Sequence, residues 1–126
     1  QVDGNGILAT ARDATGTLRA KIQNNNVAAP LTGVRPGIRI DSGNLQSVYE
    51  TVCLNISGNT SAGSGGSEGI GLRKQGTAPA THTFGVNGMA ATSSPGVEAY
   101  VNGLNPAGAG TLLLSATSGF TNGSCP

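Results

Sequence analysis

His82 is the only histidine in the chain, so any Ser-His-Asp or Cys-His site would have to use it. It stands in Ala80-Thr81-His82-Thr83-Phe84 with no Gly-x-Ser-x-Gly elbow nearby, and reads as a histidine on an alternating strand. The six carboxylates, Asp3, Asp13, Asp41, Glu50, Glu68 and Glu98, are scattered. Polysaccharide cleavage needs two carboxyls converging on one bond, or a carboxylate–metal pair, and this spacing predicts neither. Asp3-Gly4-Asn5-Gly6 begins like a calcium loop but lacks the later acidic ligands, so it reads as a turn. Gly63-Ser64-Gly65-Gly66-Ser67-Glu68-Gly69 fails the phosphate-loop spacings and has no following Lys-Ser/Thr, so it reads as a loop, and Ser61 to Ser67 reads as an exposed loop between two strands. Cys53 and Cys125 lie 72 positions apart and form no CxxC pair, which removes the usual zinc-ligand spacing. The expectation for them is one long-range disulfide of an oxidising compartment; separate thiols are the alternative. No catalytic residue, metal or cofactor is expected, and the chain is not expected to be an enzyme.

Composition narrows what could position such residues. The chain has 126 residues, of which 21 are glycine and 10% are charged, with a net charge of +1. A basic nucleic-acid binder, a coiled coil and a helical bundle all need more charge or a Leu/Ala/Glu/Lys bias. Arg19, Lys21, Arg35, Arg39, Arg73 and Lys74 could share an outer face, but aromatics are only 3% of the chain, so no base-stacking platform accompanies them. They read as a solvated face, and no nucleic-acid partner is expected. No apolar run approaches the ~18 residues that span a bilayer, so no membrane insertion is expected. With 37% apolar residues and so few aromatics, a core must be a thin one of Val, Ile, Leu and Ala.

Internal repetition supplies the scaffold. Gly followed by a β-branched residue opens an alternating stretch at Gly6-Ile7, Gly37-Ile38, Gly69-Ile70 and Gly96-Val97. A second signal, Ala20 to Val27, resembles Cys53 to Thr60 and sets Ile22 beside Ile56 and Asn25 beside Asn59. The common order is alternating strand, Asn turn, Gly/Pro/Ser loop, Gly-Ile strand. That order predicts an all-β fold, a parallel β-helix (β-solenoid) of about four coils of roughly 30 residues each. Stacking then lays Ile22 on Ile56, Ile38 on Ile70, Ile40 on Leu72 and Asn25 on Asn59 as side-chain ladders. Alternation points Val52, Leu54 and Ile56 inward with Cys53 and Asn55 on the opposite face; Ile38 and Ile40 point in, Arg39 and Asp41 out. The same register brings Asp41 beside Arg73 as a surface ion pair across neighbouring coils, worth under about 1 kcal/mol. Pro30, Pro36 and Pro95 fall in loops, Leu112 to Ser124 forms a final strand and turns, and almost no helix is expected, at most a brief one around 44–49.

Val52-Cys53-Leu54-Asn55-Ile56-Ser57-Gly58-Asn59, Gly71-Leu72-Arg73-Lys74-Gln75 and Gly123-Ser124-Cys125-Pro126 resemble the closing coils of large bacterial secreted proteins with right-handed parallel β-helix repeats. The resemblance spans residues 18–126, with Ala20 to Asp41 similar to an ordinary coil. It implies an extracellular or cell-surface rod used for adhesion, matrix building or display, and carries no catalytic residues. The whole chain is expected to form a single β-solenoid domain, a processed or excised piece of a longer exported protein. The expected partners are other copies of itself, end to end or laterally. A flat face binding surface glycans or ice is the alternative; it predicts Thr or Asn in register along one face.

Overall fold

The computed structural model describes residues 4–12, 16–43, 51–74, 83–90, 93–106, 112–114 and 120–123. These form ten strands and one helix: β1 (Ile7–Ala11), β2 (Thr17–Gln23), β3 (Asn26–Val27), β4 (Ile38–Ser42), β5 (Thr51–Ser57), β6 (Thr60–Ser61), β7 (Ile70–Lys74), β8 (Thr83–Asn87), α1 (Ser94–Leu104), β9 (Leu112–Leu114) and β10 (Phe120–Gly123). They assemble into a sheet ordered β1-β4-β7-β9, a second ordered β10-β8-β5-β2, and a short pair β3-β6. Every one of these pairings is parallel. The chain visits the first, second and third sheets in that order twice, returns to the first and second, and then enters α1 where a third short strand would fall.

Period-two alternation explains the core. In β5 the pattern of burial puts Val52, Leu54 and Ile56 inside and leaves Thr51, Cys53, Asn55 and Ser57 half-buried. Ile38, Ile40, Ile70, Leu72, Phe84 and Val86 are fully buried from both large sheets, so the sheets pack their aliphatic faces on one another. Phe84 and Phe120, paired in register, bring their rings to a 5.0 Å centroid distance, tilted by 55°. Two of the chain's four aromatic residues are thus spent on one core contact.

Each second-sheet strand β2, β5 and β8 is followed at once by a left-handed residue: Asn24 (φ 56°), Gly58 (φ 66°) and Gly88 (φ 74°). These conformations turn the chain out of the sheet, and Asn and Gly tolerate them best.

The fourth Gly-Val copy is not a strand. Gly96 to Val101 lies inside α1, and the fourth strand of the first sheet is β9, so the column Ile7, Ile38, Ile70, Leu112 advances by 31, 32 and then 42 residues. The reason is local. Ser93 caps the helix by accepting from the Gly96 N–H, and Pro95, expected in a loop, occupies the first turn where a missing N–H costs nothing. Val97 and Val101, four apart, are both buried on one helix face. Tyr100 donates its hydroxyl to the Asn87 carbonyl at 2.8 Å, tying the helix to the end of β8. The expected brief helix around 44–49 lies outside the described residues, as does His82. Nor is the segment from Ser61 to Ser67 a plain exposed loop: Ser61 is buried in β6, and Ser64 pairs antiparallel with Arg35.

Candidate functional site

The turn after β2 places Asn25 one residue beyond the left-handed Asn24, and the turn after β5 places Asn59 one residue beyond Gly58. Asn59 is completely buried. Its Oδ1 accepts from the Asn25 backbone N–H at 3.0 Å and from Asn25 Nδ2 at 2.9 Å. Its Nδ2 donates to the Ile22 carbonyl at 2.9 Å and to Asn105 Oδ1 at 2.9 Å, and its own N–H reaches that same Oδ1 at 3.0 Å. Asn105, 1% exposed, therefore extends the column to three.

The residue that follows Gly88 in the chain is Met89, not asparagine. The ladder position is filled from the end of α1 instead, and Leu104 accepts the Gly58 N–H at 2.8 Å. The column has a direction: Asn59 Oδ1 accepts from Asn25, and Asn105 Oδ1 accepts from Asn59. At the Asn105 end the column is closed on the helix, since Asn105 donates its amide to the Val101 carbonyl and its N–H to the Asn102 carbonyl. At the Asn25 end, no donor among the described residues reaches Asn25 Oδ1.

That same end carries strands that, among the described residues, pair on one side only. β1, β2 and β3 are each the edge of their sheet. The Ile7 N–H bonds to Gly37 and the Gly43 N–H to Ala11, so in β1 the amides of Leu8 and Thr10 point away from β4. By the same alternation Thr17, Arg19 and Lys21 turn their amides away from β5, and Asn26 turns its own away from β6. An open depression of about 390 Å³ lies between β1 and β3, lined by Gly6, Ile7, Asn25, Val27 and Pro30.

The second cluster is charged. Asp41 lies in register between Thr10 and Arg73, on the outward side of the first sheet as alternation requires. It is nevertheless 1% exposed, because Arg12, Arg39 and Arg73 fold over it. Arg39 Nε lies 2.9 Å from its Oδ1, and Arg73 Nη2 lies 2.7 Å from its Oδ2. The expected exposed pair is thus a buried carboxylate shared by three guanidiniums. Burial alone would push the Asp41 carboxyl up, but hydrogen bonds and charge from Arg39 and Arg73 outweigh it and hold it below the ordinary carboxylate range. Three positive charges against one negative leave two in excess. Four guanidinium nitrogens bond the carboxylate, and the other five have no acceptor among the described residues.

The remaining residues singled out from sequence take these places. Ile22 and Ile56 are register partners, as are Ile38 with Ile70 and Ile40 with Leu72. Cys53 sits half-buried on the outer face between Arg19 and Gly85. Cys125 lies outside the described residues. Thr17, Thr51 and Thr83 form one outward column, whose repeat runs between strands, not along them. Among the described residues no three His, Cys, Asp or Glu side chains gather as metal ligands, and no helix is long and apolar enough to cross a membrane. No family model, curated protein or solved structure matches the chain.

Proposed function

We propose that this chain is a structural and adhesive segment of an extracellular or cell-surface protein: a β-solenoid rod of about four coils that associates with other copies of itself. The fixed order in which the chain visits the three parallel sheets supports the solenoid reading. The low charge and the resemblance to the closing coils of secreted β-helix proteins support the location. A bond between Cys53 and Cys125 belongs to the same reading.

The observation that carries the association is the set of edges at β1, β2 and β3 that no described strand covers, beside an asparagine column whose Asn25 Oδ1 meets no described donor. Exposed parallel edges are templates for further strands. Because Asn105 turns its donors onto α1, copies meet end to end through the sheet edges, or side by side, without prolonging the column. Stacking β9 of one copy on β1 of the next builds a fibre or layer; two β1 ends meeting across a two-fold axis close into a dimer.

Sedimentation velocity over a wide concentration range tests this. Thr10→Pro removes an outward amide without touching the bonds to β4, so it should abolish an association that the unaltered chain shows. A chain that stays monomeric throughout, with no fibres in electron micrographs, overturns the reading.

One observation favours a second reading, a face that binds glycans or ice. The Thr17, Thr51 and Thr83 column presents hydroxyls at the strand spacing of ~4.8 Å. Thr51→Val should then reduce binding to a glycan array or inhibition of ice recrystallisation; absence of either activity in the unaltered chain removes it.

A further inference from the structure

We propose that Arg12, Arg39 and Arg73, gathered on Asp41, form a binding site for the anionic groups of an acidic polysaccharide. This site lies on the outer face of the first sheet and does not depend on the association proposed above.

The cluster holds more cation than its own carboxylate neutralises, and this excess is built in by the fold. Arg12 follows β1, Arg39 lies in β4 and Arg73 in β7, so three successive parallel strands each contribute one guanidinium. Asp41 fixes their forks from below, which limits the side-chain entropy lost on binding. The three side chains remain 37%, 26% and 22% exposed, and the five nitrogens with no acceptor among the described residues are the donors for an incoming oxyanion.

Guanidinium forks match carboxylate and sulfate oxygens. Their placement on adjacent strands, ~4.8 Å apart along the stack, suits a ligand bearing anionic groups in series better than a lone ion. A second copy of the chain is a poorer fit, since its own net charge is +1 and its acidic residues are dispersed.

The test is binding of dextran sulfate and polygalacturonate, with neutral dextran and inorganic sulfate at matched ionic strength as controls. At least one polyanion should bind about tenfold or more tighter than inorganic sulfate, and neutral dextran should not bind. Arg73→Gln and Arg12→Gln should each weaken that binding about tenfold, the loss of one charge-assisted contact. Lys21→Gln, on the second sheet, should change it less than twofold. Circular dichroism checks each variant for folding; if Arg73→Gln fails to fold, Arg12→Gln decides, because Arg12 lies beyond the end of its strand and is the most exposed of the three. Binding that ignores Arg12→Gln, that falls with Lys21→Gln, or that is no tighter for either polymer than for inorganic sulfate overturns the proposal.

Discussion

Replacing Asn59 by alanine should cost more stability than any other asparagine substitution among the described residues. The side chain is fully buried and serves partners on three segments: Asn25, Ile22 and Asn105. Alanine leaves the Asn25 N–H without its partner, and takes one donor each from Asn105 Oδ1 and from the Ile22 carbonyl, which keeps its ladder bond to β5. A buried group left unpaired costs about 1–3 kcal/mol and each further lost hydrogen bond about 1 kcal/mol, so the total is about 3–4 kcal/mol. That is a large part of the ~5–15 kcal/mol available to a domain. Read in urea, with a slope of about 2 kcal/mol/M, the midpoint should fall by about 1.5–2 M. Asn25→Ala, at the open end and half-buried, should cost about 1 kcal/mol, and exposed Asn26→Ala under about 0.5 kcal/mol. Asn59→Asp keeps the shape but replaces two N–H donors with a carboxylate facing Asn105 Oδ1 and the Ile22 carbonyl, so it should be no milder than alanine. An Asn59→Ala cost below about 1 kcal/mol, or an Asp variant as stable as Asn26→Ala, would refute the role given to the column.

Three further outcomes are expected. Asp41 has a lowered folded pKa, so its stabilising contribution is present above its unfolded value of about 3.9 and is lost as pH falls through the folded one; thermal melts below pH 4 should show a loss that Asp41→Asn lacks. Ile56→Asp, at a fully buried position on a central strand, should abolish the cooperative melt. Ile22→Asp on the edge strand β2 should be milder, and Leu8→Asp, 57% exposed, should leave the melt nearly unchanged. A thiol assay on unfolded, unreduced protein should find no free cysteine; two free thiols would refute the bond proposed between Cys53 and Cys125.

Strand phase and register were legible because burial on one face imposes period two, and a slip of one residue would expose every isoleucine in the core. The Asn turn aligned Ile22 with Ile56, and the Gly-Ile starts aligned Ile38 with Ile70. Three features were not legible in that way. Val97, Ala99 and Val101 satisfy a strand's alternation, while Val97 and Val101 equally satisfy the four-residue step of a helix; the Ser93-Ser94-Pro95 start signal was the discriminating cue. Asn105 was invisible to repeat matching, because the chain-equivalent residue is Met89 and a helix intervenes. For Asp41, alternation reports the side of the sheet and not what covers it, and the covering arginines come from residues two, 29 and 32 positions away.

Association requires β1 to be an open edge that other copies can cover, and residue-resolved amide hydrogen exchange at low and high protein concentration tests this most directly. The Ile7, Ala9 and Ala11 amides, directed at β4, should be protected at both concentrations. Those of Leu8 and Thr10 should exchange quickly in dilute solution and slow as the concentration rises. Equal protection of Leu8 and Ile7 in dilute solution would contradict the edge, and fast exchange at Leu8 and Thr10 at every concentration would contradict the assembly.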